Sequence, residues 1–269
     1  MMWALSKTGS TEIYAEFKPF VNSSLSGLFF YQIRKLFSVA TTLSYASGQG
    51  TLLEHKGVKI TWLGHDGFKI ENAGETLVID PFKLAHDAHA DYVLISHEHY
   101  DHCSADDLKR VVKPTSVVVA TPACREEVSK TKPKEIKTVK PGDKVLLGSF
   151  EVRAIPAYNL NKFAKPGQVF HPRADGKVGY IVKTKGGVTI YHSGDSDLIP
   201  EMEGLKPDIA LLPVSGIYVM TAEEAIQAAD KIKPKIAVPM HYGTIVGSEK
   251  DAEKFKKEAK CEVHILTRE

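Results

Sequence analysis

One stretch constrains this chain more than any other. Tyr92-Val93-Leu94-Ile95 runs without a break into Ser96-His97-Glu98-His99-Tyr100-Asp101-His102. The apolar run predicts a strand buried on both faces. Shortly after it, Ser104-Ala105-Asp106-Asp107 resembles a capping box with Asp in place of the usual Glu or Gln, and predicts a helix through about Val112. A buried strand feeding a polar loop and then a helix is a unit of layered α/β folds. The loop lies beyond the strand's end, where side chains converge on a ligand.

The rest of the chain repeats that alternation. Val58–Leu63, Gly67–Glu71 and Thr76–Ile79 predict strands, the last two joined by a turn at Asn72-Ala73-Gly74. Ser116–Ala120, Lys144–Leu147, Phe150–Ile155, Gly179–Thr184, Val188–His192, Ile209–Pro213, Ile236–Pro239 and Val263–Leu266 predict more. Thr221-Ala222-Glu223-Glu224 is a full capping box, opening a helix with Ala225, Ile226, Ala229 and Ile232 on one face. Ser248–Lys260 predicts a Lys/Glu-rich helix whose lysines fit a solvated face. Two meander-like strand runs alongside this alternation suggest two sheets packed face to face with helices outside, a four-layer α/β arrangement. With no internal repeat and no Pro/Gly linker after residue 57, residues 51–269 are expected to form one domain.

Residues 1–50 read differently. Glu12 and Glu16 are their only acidic groups, and Ser, Thr, Phe and Tyr recur without a period. They are expected to form an N-terminal extension, disordered or loosely packed. Arg34-Lys35 followed by Leu36–Ala40 faintly resembles the start of a signal peptide, but Thr41, Thr42 and Ser44 interrupt the apolar run.

A formal net charge of +2 gives no global pull toward nucleic acid or an anionic membrane. No stretch reads as a membrane span. Cys103, Cys124 and Cys261 are odd in number and form no CxxC pair, which argues against a disulfide framework and fits a reducing cytoplasm.

The loop itself points to a metal. His97 and His99 are two apart and can face the same way off extended backbone, while Asp101 and His102 follow a turn toward a second point. Neutral imidazole is a good ligand for first-row metals, and carboxylate is tolerated beside it. A loop that is merely polar is a poor account of three histidines and an aspartate so close together. A closed structural metal site usually uses cysteines, and only Cys103 is near. Four side chains are too few for two metals, so others must join. Asp195 follows the strand ending at Tyr191, His241 follows Ile236–Val238, and His171 lies in Phe170-His171-Pro172-Arg173. Each alone is a weak signal, since a lone histidine at a strand end is more often a hydrogen-bonded structural residue; together with the first cluster they form a candidate set.

His97-x-His99-x-Asp101-His102 resembles the signature of the metallo-β-lactamase superfamily. Val78-Ile79-Asp80-Pro81, His192-Ser193-Gly194-Asp195 and Pro239-Met240-His241-Tyr242-Gly243 resemble three further motifs of that family, in order. Trp62-Leu63-Gly64-His65 with Phe68, and Leu211-Leu212-Pro213-Val214, are similar to the branch of metal-dependent hydrolases related to ascorbate-6-phosphate lactonase and N-acylphosphatidylethanolamine phospholipase D. The resemblance implies an αββα sandwich with the active site at one edge of the sheets. It implies two divalent ions, zinc first, with manganese or iron accepted by the same donors. His97, His99 and His171 would hold one, Asp101, His102 and His241 the other, with Asp195 bridging and Asp80 behind the loop. Where many members carry a Pro-x-His histidine, this chain has Tyr158 in Pro156-Ala157-Tyr158-Asn159, and His171 stands as the substitute beyond a long spacer, Lys162–Val169.

Such a site implies hydrolysis: a hydroxide shared by cations ~3.5–4 Å apart attacks an ester, lactone or phosphodiester of a small molecule. Asp101 and His65 are the candidate catalytic side chains. His65, in Gly64-His65-Asp66-Gly67, would protonate the leaving group, with substrate binding or a structural hydrogen bond as alternatives. His192 is expected to face the core, and Lys162 and Arg173 to be solvated or to meet an anionic group. Two other classes compete, a nuclease on the same fold and a non-catalytic metal-binding protein. The near-neutral charge makes nucleic acid a poor partner. Oligomeric state stays open, a homo-oligomer included.

Overall fold

Two seven-stranded sheets dominate residues 49–269, the part of the chain that this computed structural model describes. The N-terminal extension expected before Thr51 falls, up to residue 48, outside the described residues. After β1 (Gln49–Gly50), the chain lays down the first sheet in sequence order: β2 (Leu52–His55), β3 (Val58–Gly64), β4 (Gly67–Asn72), β5 (Glu75–Ile79), β6 (Ala90–Ile95), β7 (Val112–Ala120) and β8 (Glu135–Thr138). Helix α1 (Ala105–Val111) joins β6 to β7, and α2 (Arg125–Ser129) lies between β7 and β8. Tight turns make β2 to β5 antiparallel, whereas the helical crossovers make β6 to β8 parallel.

The second sheet draws on β9 (Lys144–Leu147), β10 (Phe150–Pro156), β13 (Val178–Thr184), β14 (Thr189–His192), β15 (Ile209–Pro213), β16 (Ile236–Met240) and β17 (Glu262–Val263). A hairpin, β11 (Phe163–Lys165) with β12 (Gln168–Val169), stands apart between β10 and β13. Helix α3 (Ala222–Ile232) joins β15 to β16, α4 (Glu249–Glu258) joins β16 to β17, and β18 (Ile265–Leu266) pairs in parallel with β1.

Period-two alternation sorts the first sheet's side chains. Leu77, Ile79, Leu94 and Val119 enter one buried cluster with Phe150, Val152 and Ala154 of the facing sheet. Their neighbours Val78, Val93, Ile95 and Val118 point the other way, against Leu108 and Val111 of α1 and Val128 of α2. Strand β15 is buried throughout, and Ala225, Ile232, Ala252 and Phe255 of α3 and α4 continue its cluster. Each fully buried aliphatic side chain stabilises by about 1.5–3 kcal/mol. The layers are helix, sheet, sheet, helix: the αββα sandwich that the sequence suggests.

Local departures have local causes. The predicted helix after Ser104 stops at Val111, and the next strand begins at Val112 rather than Ser116. Only half of its capping box forms. Ser104 Oγ accepts from the Asp107 N–H, while the Asp107 carboxylate accepts from the N–H groups of Lys83 and Leu84 at 2.8 and 2.9 Å. The Thr221 box is complete, with Thr221 Oγ1 accepting from the Glu224 N–H and Glu224 Oε2 from the Thr221 N–H. Val263–Leu266 divides at His264 because its halves pair with different strands. Strands β2 and β8 are sheet edges with mixed burial, so they carry no apolar run by which to predict them.

Candidate metal centre

Five strands end at one rim of the sandwich, each followed by a polar side chain of the candidate set. His65 follows β3, Asp80 follows β5, His97 follows β6, Asp195 follows β14 and His241 follows β16. Three of these junctions use a left-handed non-glycine residue: φ is 51° at His65, 41° at Asp80 and 58° at His241. Such backbone costs about 1–3 kcal/mol each and gathers at functional sites. Gly194, at φ 59°, does the same before Asp195, and a Cβ there would sit 2.7 Å from the Val178 carbonyl oxygen.

His171 arrives by another route. The β11–β12 hairpin takes up the long spacer, and the Asn159 N–H donates to the His171 carbonyl at 2.8 Å, closing the loop. That return places His171, 1% exposed, beside His99 and Asp195.

The sequence-predicted residues converge. His97, His99, His171 and Asp195 offer ligand atoms all within 4.8 Å of one another; so do His65, Asp101, His102 and His241. A third group, Asp66, His102, Asp195 and His241, overlaps the second. Asp195 stands between them. Its Oδ2 is 3.4 Å from His171 Nε2 and 4.0 Å from His97 Nε2, while its Oδ1 is 3.2 Å from His102 Nε2 and 3.5 Å from His241 Nε2.

Protein groups occupy the outward ring nitrogens. Nδ1 of His97 meets Ser96 Oγ at 3.0 Å, and Nδ1 of His241 meets Ser215 Oγ at 3.0 Å. His102 Nδ1 donates to Asp80 Oδ2 at 2.9 Å, and His171 Nδ1 donates to Asn159 Oδ1 at 2.8 Å. Asp80 also accepts from the Ser96 N–H at 2.8 Å. With Nδ1 engaged, each of these rings turns Nε2 inward, the orientation that backs metal-binding imidazoles.

A cation fits this donor set. Nine buried side-chain polar atoms among the described residues have no hydrogen-bond partner, and seven of them belong here. They are Nε2 of His97, His102 and His241, Nδ1 of His65, Oδ1 of Asp195 and both oxygens of Asp66. An orphaned buried group costs about 1–3 kcal/mol, so seven in one place call for a shared partner. Nitrogen and carboxylate oxygen donors suit zinc, manganese or iron.

Electrostatics divide the cluster. Burial pushes His97 well below the usual histidine range and lowers His99, and it brings His171 and His65 to about 4. These rings are neutral at physiological pH and keep a lone pair. Burial opposes charge on His241 too, but Asp195 and Asp66 outweigh it and lift its pKa to about 9. His102 is likewise raised by Asp195 and Asp80 against burial. Asp195 stays ionised because His102 and His241 overcome its desolvation, and Asp101 falls to about 2 because His65 and His102 overcome its own.

His65 is wholly buried, its ring 4.1 Å from that of His241 and its Nε2 3.1 Å from Asp101 Oδ2. An ionised carboxylate only accepts, so His65 Nε2 carries the proton. A cavity of about 260 Å³ opens over the centre, and His99, Asp101, His171 and Asp195 line it. His192 faces the core as expected: its Nδ1 accepts from the Gly194 N–H and its Nε2 donates to the Asp66 carbonyl. Lys162 pairs with Glu224 at 2.6 Å and Arg173 with Glu201 at 2.7 Å.

Asp66 is the residue that sequence reasoning passed over. It is 0% exposed, and burial raises its carboxyl well above the usual range. The signal available was a His-Asp pair between two glycines at the end of an apolar strand.

Comparison with known proteins identifies the family. The family model described as the Beta-lactamase superfamily domain matches residues 59–241. A UPF0173 metal-dependent hydrolase of Methanopyrus kandleri is 32% identical over 220 residues, covering 75% of this chain and 91% of that protein. A second, from Archaeoglobus fulgidus, is 33% identical over 220 residues, covering 76% and 91%. A solved metal-dependent hydrolase structure from Parabacteroides distasonis superposes with a TM-score of 0.66 at 29% identity, over 81% of this chain and 99% of that one. The matched span runs from β3 through His241 and takes in every residue of the candidate centre, so the chain belongs to the metallo-β-lactamase superfamily.

Proposed function

We propose that the chain is a metal-dependent hydrolase that holds two divalent cations and cleaves an ester, lactone or phosphodiester bond in a small molecule. The position of Asp195 carries this reading, with one carboxylate oxygen toward His97 and His171 and the other toward His102 and His241. The description of the archaeal relatives as metal-dependent hydrolases supports it.

His97, His99 and His171 would hold the first cation, and His102, His241 and Asp101 the second, with Asp195 available to both. When bound, such a pair lowers the pKa of water from ~15.7 toward ~7 and stabilises negative charge on the attacked group. The chain's own residues prepare the rest. Ser96, Asp80, Asn159 and Ser215 fix four imidazoles before anything binds, so little reorganisation remains. Asp101 faces the cavity as a carboxylate, and the proton on His65 Nε2 holds its direction. The buried position of His65 favours this positioning role over direct delivery of a proton to a leaving group.

Metal analysis of the purified full chain should give close to two equivalents, and Asp195→Ala should abolish turnover while circular dichroism stays unchanged. Unaltered turnover in that variant, or a well-folded protein that takes up no metal, overturns the proposal.

A further inference from the structure

The cavity over the centre has a second character. Among the described residues, its lining beside the candidate ligands consists of Tyr100, Phe170, Tyr218 and Ile245, and no lysine or arginine joins them. The cations nearby among the described residues are committed elsewhere. Lys162 contacts Asp197 and Glu224, Arg173 contacts Glu201 and lies over the Tyr158 ring, and buried Lys177 pairs with Glu98.

Apolar surface collects here. Of seven large apolar side chains exposed among the described residues, Tyr100 and Ile245 line the cavity itself. Leu160, Phe163 and Ile217 lie on the two segments that carry Phe170 and Tyr218. A concentration of this kind marks a binding surface, whereas scattered apolar residues do not.

The wall is also held in place. Tyr218 adopts φ 70°, a backbone conformation rare for a bulky side chain. Its carbonyl accepts from Asn159 Nδ2 at 2.8 Å, and its ring meets Phe170 edge-on at a centroid distance of 4.7 Å. Asn159 also orients His171, so one amide sets both a candidate ligand and the apolar wall.

We propose that the part of the substrate flanking the scissile bond is an uncharged apolar group, a ring or a branched chain, and that Phe170, Tyr218 and Ile245 select it. The proposal rests on the hydrolase reading above. A carboxylate or phosphate in that position would lose hydration without gaining a cationic partner from the lining. A cavity of about 260 Å³ also limits the substrate to small molecules.

The test uses full-length protein carrying two equivalents of metal and two esters that differ only in the acyl tail, ethyl 3-phenylpropionate and ethyl hydrogen succinate. The phenyl ester is expected to be preferred by at least about tenfold in kcat/KM, the effect of burying one ring. Phe170→Ala should raise KM for the phenyl ester about tenfold with the metal retained. Ile245→Lys, on an exposed loop, should narrow or reverse the preference, and it keeps the test available if Phe170→Ala fails to fold. Turnover confined to phenyl-bearing probes supports the proposal. Equal or faster turnover of the succinate ester overturns it and leaves the hydrolase reading standing. No turnover of either ester, or of diphenyl phosphate, by protein with both equivalents bound overturns the two together.

Discussion

Asn159 Oδ1 accepts hydrogen bonds from both the backbone N–H and the Nδ1 of His171, at 2.9 and 2.8 Å. One amide oxygen therefore fixes where the imidazole sits and which nitrogen faces Asp195. Asn159→Leu should cost about 10- to 100-fold in affinity for the first cation, the usual effect of losing a partner behind a ligand. Asn159→Asp, which keeps the acceptor, should recover part of it. Metal titration by calorimetry reads both variants; equal affinity in Asn159→Leu and the parent would remove Asn159 from this role.

Gly194 precedes the shared carboxylate at φ 59°, with the Val178 carbonyl oxygen 2.7 Å from where a Cβ would lie. Gly194→Ala should move Asp195, lower stability by roughly 2–4 kcal/mol and reduce bound metal together. A variant with parental Tm and metal content would show that the turn has room to give.

Asp66 is buried with neither carboxyl oxygen hydrogen-bonded, and its nearest ion-pair contact is His102 Nδ1 at 3.8 Å. Replacing an unpaired buried polar group with an apolar one of similar size stabilises by about 1–3 kcal/mol. Asp66→Leu should raise the Tm of metal-free protein by roughly 2–10 °C and should lower metal content below two equivalents. A fall in metal-free Tm would mean that Asp66 supports the fold.

Asp208 gives a pH test away from the centre. Burial would raise its pKa, but Lys235 and the N–H and hydroxyl of Thr189 outweigh this and hold it well below the usual carboxylate range. A depressed folded-state pKa contributes stability that is fully present above the unfolded value, near ~4, and is lost as pH falls through the folded value. Asp208→Asn should be less stable than the parent at pH 7 by about 1–2 kcal/mol. The gap should hold down to about pH 5, narrow below ~4 and close only as pH falls through the depressed folded value. A gap that stays constant down to pH 2 would argue against this ion pair.

What the sequence made legible follows from how far apart the partners lie. His97, His99, Asp101 and His102 are crowded into one loop, so their convergence needed no fold. Asp195 and His241 were legible as polar residues at the ends of apolar strands, and the structure brings both to the same rim. His171 was the weaker inference because its spacer looked long, and the β11–β12 hairpin that shortens it is too brief to leave a pattern. Asp66 was illegible for a different reason. A carboxylate beside a glycine is ordinary until Asp195 and His241, far along the chain, surround it. Asp107 had a local signal that was half right: Ser104 caps the helix as the spacing predicts, yet two N–H groups from the loop after β5 claim the Asp107 carboxylate.

Neither candidate cation position belongs to one sheet. The first takes His97 and His99 from the loop after β6 and Asp195 from the end of β14; the second takes His102 from that same loop and His241 from the end of β16. Ions seated there would act as rivets between the two halves of the sandwich. Chelation would then do more than silence the chemistry. It would let the rim slacken, so that amide protons near the ends of β6, β14 and β16 exchange with solvent well before those at the opposite edge.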